Sequence, residues 1–306
     1  MTLFGLEWWI PFNLVLILLL VLDVRYLRRS TDKPRPSQSL LLTAAWVSLA
    51  MLFALLIFMT KGQEPALKFI TGYLIEESLS VDNLFVFLMI FQYFHVPESQ
   101  TRRILMYGIL GALIMRFVFI FVGISLIHRI PWILYVFGAF LVVTGILMFK
   151  KPEKSFTPRT AFLVTWLKKF IPITDHWEDG QFFVRKSGRL FATPAFVVLL
   201  TVEATDLFFA LDSIPAVFAI TLDPFIVYSC NAMAILGLRS LFFVLKDLLE
   251  FFEYLHYGVS LILIFVGSKM LLRPVYEIPT VTSLCVIGSI LFLSMLLSAV
   301  RKKVPK

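Results

Sequence analysis

Nine stretches of this chain, at residues 9–27, 40–59, 69–94, 104–126, 131–149, 191–220, 225–245, 254–272 and 280–300, stay mostly apolar over roughly the 20 residues that a helix needs to cross a bilayer. Hydrocarbon offers backbone groups no water, so each stretch must close its hydrogen bonds internally as a helix. The expected fold is all-α: a polytopic membrane protein of about nine transmembrane helices, forming a single transmembrane domain over residues 1–306. The first stretch is the least regular because Asp23 and Arg25 intrude, but Trp8 and Trp9 suit one interface and the basic residues the other. Only 16% of the residues are charged, against about a quarter in soluble domains. The net charge of +8 does not point to nucleic acid, because Lys and Arg sit in short clusters between the apolar stretches. The expected partner is the lipid bilayer. Residues 1–9 carry Glu7 and no Lys or Arg, so the first stretch is expected to be retained, not cleaved as a signal peptide. Cys230 and Cys285 stand alone in apolar runs and make neither a disulfide framework nor a metal clip.

Direction follows from the basic clusters. Arg25, Arg28, Arg29, Lys33 and Arg35 fall in one loop, Arg102 and Arg103 in the next on that side, nine more in the 150–190 loop, then Lys246 and four in the tail. The opposite loops hold Lys61, Lys68, Arg129 and Arg273. Loops rich in Lys and Arg stay in the cytoplasm, so the N-terminus is expected outside and the C-terminus inside.

The third stretch reads Glu76-Glu77-Ser78-Leu79-Ser80-Val81-Asp82-Asn83, and the sixth runs from Glu203 through Asp206 to Asp212-Ser213-Ile214-Pro215. A shift of 130 residues lays Glu76 on Asp206, Asp82 on Asp212 and Asn83 on Ser213. Gly108 to Arg116 then matches Asn231 to Arg239, so Arg116 and Arg239 correspond, and Gly145 to Met148 matches Gly267 to Met270. Residues 69–149 and 191–272 thus read as two copies of one three-helix unit, joined by a cytoplasmic loop over 150–190. Three crossings are odd in number, so the copies face opposite ways, a construction transporters use to alternate access to a central site.

Glu76, Glu77, Asp82, Glu203, Asp206 and Asp212 are the carboxylates well inside the spans. An acid at mid-membrane costs roughly 2.5–3.5 kcal/mol on the insertion scale. Structural pairing with Arg116 and Arg239 is the simplest explanation, but two arginines cannot neutralise six acids. The excess calls for protons or a metal ion. Oxygen donors without imidazole or thiolate suit Mn²⁺, Mg²⁺ or Ca²⁺, and Asn83 and Ser213 can add neutral oxygens. His95, His128, His176 and His256 fall in loops or at span ends. Six residues of helix separate Glu76 from Asp82 by about 9 Å of rise and roughly 120° of turn, so one straight helix cannot aim both at one ion. If the units enclose a single path, Asp82 and Asp212 meet near mid-depth, with Glu76 and Asp206 displaced towards opposite faces. Pro215 is expected to break the sixth span and free carbonyls as further ligands. Asp175-His176-Trp177-Glu178-Asp179 reads as a solvated loop, residues 182–189 as a segment on the anionic inner surface, and Lys269 as a lysine snorkelling to the outer interface.

Glu76 to Phe87 (EESLSVDNLFVF), Val202 to Ala216 (VEATDLFFALDSIPA), Ile235 to Phe243 (ILGLRSLFF) and Phe182 to Pro194 (FFVRKSGRLFATP) closely resemble the TerC family of bacterial membrane proteins, above all its Alx-like branch. The resemblance implies a nine-helix inner-membrane protein linked to manganese export, to metal supply for exported enzymes and, historically, to tellurite resistance. It also implies that Glu76, Asp82, Asn83, Glu203, Asp206, Asp212 and Ser213 are the acidic-motif residues, while Glu77 stands where some members carry a basic residue. The expectation is a non-enzymatic Mn²⁺ exporter that exchanges the ion for protons and carries no resident cofactor. Two alternatives are a scaffold for metallation or assembly of exported proteins and an amino-acid exporter of related architecture; the acid-rich core disfavours the second, since a zwitterion also carries a carboxylate. An intramembrane aspartyl protease would need Tyr-Asp and Gly-x-Gly-Asp, whereas Val81 precedes Asp82 and Leu211 precedes Asp212.

Overall fold

The structure, a computed structural model, describes residues 4–29, 36–130, 132–150, 172–174, 177, 181–186, 189–248, 255–272, 274–276 and 278–302. Among them are nine helices: α1 (Leu6–Arg29), α2 (Pro36–Lys61), α3 (Gln63–Tyr93), α4 (Glu98–Arg129), α5 (Ile133–Lys150), α6 (Pro194–Phe218), α7 (Pro224–Leu248), α8 (Leu255–Leu272) and α9 (Thr280–Lys302). Within α2, α4, α7 and α9, the segments Ser37–Lys61, Glu98–Arg129, Pro224–Lys246 and Thr280–Ser298 are each long and apolar enough to cross a membrane. Shorter apolar segments occupy α1, α5 and α8. The 31 residues of α3 and 25 of α6 are long enough to cross, but their acids lower the mean hydropathy.

Two apolar clusters reveal the helix directions. One gathers Phe69 to Leu79 from the start of α3 with Ile120 to Ile127 from the end of α4, Ala210 to Phe218 from the end of α6 and Phe225 from the start of α7. The other gathers Leu84 to Phe91 from the end of α3 with Ile104 to Ala112 from the first half of α4, Ala195 to Val202 from the start of α6 and Leu238 to Leu245 from the end of α7. Successive helices therefore run in opposite directions, and α3 runs against α6. Phe12 of α1, Ile57 of α2 and Val266 of α8 join the first cluster, as alternation through the whole chain requires.

Helix α7 is the axle of the bundle. In its most apolar stretch 94% of the residues are buried, against 17% in α2 and α9 and 22% in α4, whose outer faces are apolar and exposed as lipid-facing helices should be. It packs along α3, α2 and α4, while α6 packs along α4 and α3. The most extensive pairing is α5 with α8. Their backbones approach closely at two places: a Cβ on Gly267 would lie 2.6 Å from the Gly138 carbonyl oxygen, and one on Gly145 would lie 2.7 Å from that of Ser260. Small residues allow such crossings in lipid.

Several sequence expectations need correction. Pro215 does not break α6, which continues to Phe218; three residues from the end of the helix, the proline disturbs only its last turn. Residues 183–186 and 189–192 pair as an antiparallel β-hairpin, β1 (Phe183–Lys186) and β2 (Arg189–Ala192), so α6 starts at Pro194 and not near 191. The hairpin is tied to α6 through Thr193, whose hydroxyl donates to the Gln181 carbonyl at 2.7 Å. It packs at the second cluster's end of the bundle, where Phe182 and Trp177 cover apolar residues. Of the 175–179 segment only Trp177 is described; Asp175, His176, Glu178 and Asp179 lie outside the described residues.

Candidate functional site

The level at which the two clusters divide is polar. Glu76, Ser78, Ser80 and Asn83 of α3, Arg116 of α4, Asp206 and Ser213 of α6, and Asn231 and Arg239 of α7 are all buried there or alongside. Helix geometry explains the gathering: α3 and α6 cross in opposite directions, and each presents its acids where its apolar face passes from one cluster to the other.

Arg116 sits at the centre with 1% of its surface exposed. Its Nη1 donates to Glu76 Oε2 and, at 2.6 Å, to Asn231 Oδ1, while Nη2 lies 3.5 Å from Asp206 Oδ1. One guanidinium thus bridges an acid from α3 and an acid from α6. This overturns the expectation that Glu76 and Asp206 are displaced towards opposite faces: the helices cross at the first acid of each motif and not at the second. The side chains of Asp82 and Asp212 lie outside the described residues.

The bridge leaves much polar capacity unused. Glu76 Oε1, Asp206 Oδ2, Glu77 Oε2 and Ser213 Oγ are buried and make no hydrogen bond among the described residues, nor do Arg116 Nε and Nη2. Buried polar atoms are rarely left so. Glu77 points away from the bridge: Tyr73, one turn earlier on α3, hydrogen-bonds its carboxyl, and Gly237 of α7 packs beside it. Glu203 is half-buried with its carboxyl lying flat on α4, where a Cβ on Gly111 would come within 2.1 Å of Oε1. No three His, Cys, Asp or Glu side chains among the described residues converge as a metal centre would require.

At the end of the bundle formed by the start of α3 and the ends of α6 and α8, a cavity of about 730 Å³ is lined by Glu64, Lys68, Phe218, Thr221 and Lys269. Lys68 donates to Glu64 at 2.6 Å and holds that exposed carboxyl below its ordinary pKa. Lys269 does not snorkel as its position suggested: it is 8% exposed and donates to Ser283 Oγ of α9 at 2.8 Å. The sequence signal missed here was the Ser283 one helix away. Asn231 was also missed as a partner, because the sequence alignment sets it against Gly108, which carries no polar side chain.

Comparison with known proteins agrees over nearly the whole chain. Residues 61–306 match the family described as "Integral membrane protein TerC family". A protein of Escherichia coli strain K12 named "Putative membrane-bound redox modulator Alx" is 44% identical over 95% of this chain and 94% of its own length. An uncharacterized membrane protein of Myxococcus xanthus is 43% identical over 96% of this chain and 92% of its own, and one of Rickettsia bellii 38% over 97% and 98%. No solved structure matches.

Proposed function

Since the chain belongs to the TerC family of integral membrane proteins, we propose that it is a divalent-cation transporter, a Mn²⁺ exporter of the bacterial inner membrane, with its ion path through the carboxylates of α3 and α6. The observation that carries this is the set of buried carboxylate oxygens, Glu76 Oε1, Asp206 Oδ2 and Glu77 Oε2, that no donor among the described residues reaches. An unpaired buried carboxylate is costly, and protons or a cation relieve that cost. Arg116 and Arg239 balance at most two of the six acids, so the layer attracts positive charge. Its donors are oxygens, the donor type of Mn²⁺, Mg²⁺ and Ca²⁺. Asp82 and Asp212, with Asn83 and Ser213, would extend the ligand ladder along both helices, since six residues amount to about 9 Å of rise. Protons competing for the same carboxylates would couple ion export to proton import.

The reading of α3–α5 and α6–α8 as inverted copies has support in the packing. Exchanging the copies turns the α3–α7 pairing into α6–α4, and maps α5–α8, α4–α7 and α3–α6 onto themselves; all of these pairings occur. The same exchange carries the Gly138–Gly267 approach onto Ser260–Gly145. The basic end of the bundle, with the hairpin, would face the cytoplasm and the 730 Å³ cavity the outside.

A static role, supporting metallation or assembly of exported proteins, is favoured by one feature, the ion pair that already neutralises Glu76. The redox wording attached to the Escherichia coli relative has no dithiol to rest on here: Cys230 is buried in α7, Cys285 is exposed on α9, and both are free. Mn²⁺ flux into vesicles holding the purified protein, with Mg²⁺ and Ca²⁺ as competitors and an imposed pH step, separates the readings. A transporter gives saturable flux that responds to the pH step, and absence of flux from a folded protein eliminates it.

A further inference from the structure

We infer that Arg116 is the site's own competing cation, which holds Glu76 and Asp206 while no ion is bound and swings along α4 to Glu203 when the transported ion takes them. The inference rests on the transport reading.

A guanidinium locked in place for structure uses its planar fork in paired hydrogen bonds. Arg116 does not. It is fully buried, but Nη1 serves both Glu76 and Asn231, Nη2 stands 3.5 Å from Asp206, and Nε donates to nothing among the described residues. One positive charge is shared between two acids and its hydrogen bonds are incomplete, as suits a group that must leave. Because the two acids come from α3 and α6, an ion bridging them would need the space the guanidinium fills.

A displaced arginine needs another anion within reach, and α4 supplies the route. Helical side chains lean towards the N-terminus of their helix. Gly111 lies five residues before Arg116, about 7.5 Å along the axis and roughly 140° around it, so the guanidinium reaches that level by turning round α4 as well as leaning back along it. The Glu203 carboxyl rests on that glycine. Glu203 is half-buried, so part of its surface is open to the guanidinium.

Competition of this kind weakens ion binding by the fraction of molecules whose acids are held by the arginine. Mn²⁺ titrated into the purified full-length protein should therefore bind Arg116→Gln at least about tenfold more tightly than the natural chain, with transport lost because the ion is no longer expelled. Glu203→Gln should weaken binding in the natural chain and change nothing in the Arg116→Gln background, because a refuge matters only while the arginine needs one. Should Arg116→Gln fail to fold, Asn231→Leu, which removes one acceptor of Nη1, decides in its place, and tighter binding supports the inference. Equal or weaker Mn²⁺ binding in the deciding variant overturns it. A Glu203→Gln loss that persists without Arg116 makes Glu203 a direct ligand and overturns the swing. If the natural chain neither binds nor moves Mn²⁺, the transport reading falls and this inference with it, whereas flux in the natural chain without tighter binding in the variants sinks the inference alone.

Discussion

At the residue scale the acids divide by what they touch. Glu76 is wholly buried against Arg116, while Glu77 beside it faces Tyr73 and Gly237, away from the bridge. Glu76→Gln should abolish Mn²⁺ transport and Glu77→Gln should retain most of it, in vesicle flux at equal protein content; equal losses would make Glu77 a ligand. Gly111 offers a finer probe. The nearest atoms a methyl there would meet are the movable end of Glu203, so Gly111→Ala should fold with a melting temperature close to the natural one. Turnover should nonetheless fall, because the carboxyl is pushed off α4. The buried acids and the buried arginines Arg116 and Arg239 were legible in the sequence, because charges in an apolar run stand out. The crossing level of α3 and α6 was not: spacing along one helix gives the distance between Glu76 and Asp82, but the contact point between two helices is set by packing from both clusters.

At the scale of elements, the apolar runs announced the helices, while their ends depended on local chemistry. The hairpin was hidden inside a basic loop because four-residue strands are too short for a periodic signal, although Phe183, Arg185, Leu190 and Ala192 flank a Ser-Gly dipeptide in the sequence. Pro215 looked like a breaker in sequence, yet so near the end of α6 it costs one carbonyl partner. Another local device is Gly62, the one residue between α2 and α3, with φ +92°, a conformation that only glycine adopts without strain. The α5–α8 pairing makes the clearest prediction at this scale. A Cβ on Gly267 or on Gly138 would meet the other helix's backbone, which cannot rotate away as a side chain can. Gly267→Ala should lower the melting temperature by an amount equivalent to about 1–3 kcal/mol. Gly138→Ala with Gly267→Ala should cost less than the two single losses combined, because both relieve the same approach. Strict additivity in thermal denaturation would show that the helices are held apart by something else.

At the scale of the whole molecule, alternating helix directions and the crowding of Lys and Arg at one end carry the same prediction. Reporter fusions at residue 165 and after the C-terminus should signal from the cytoplasm, and an N-terminal fusion from outside. A periplasmic signal at residue 165 would dismantle the repeat together with the topology. The bridge from Arg116 to Glu76 also bears on how the protein is made. As the ribosome delivers it, α3 emerges with its acids and no counter-charge, and it is not apolar enough to partition into lipid by itself. Its partner arrives on the next helix, which is apolar enough. Biogenesis must therefore hold α3 at the translocation channel until α4 follows, then release the two as a hairpin in which Glu76 has its counter-charge. The second acid-bearing helix, α6, comes later, when Arg116 is already made and can meet Asp206, so the buried charges of the mature protein also set the rhythm of its birth.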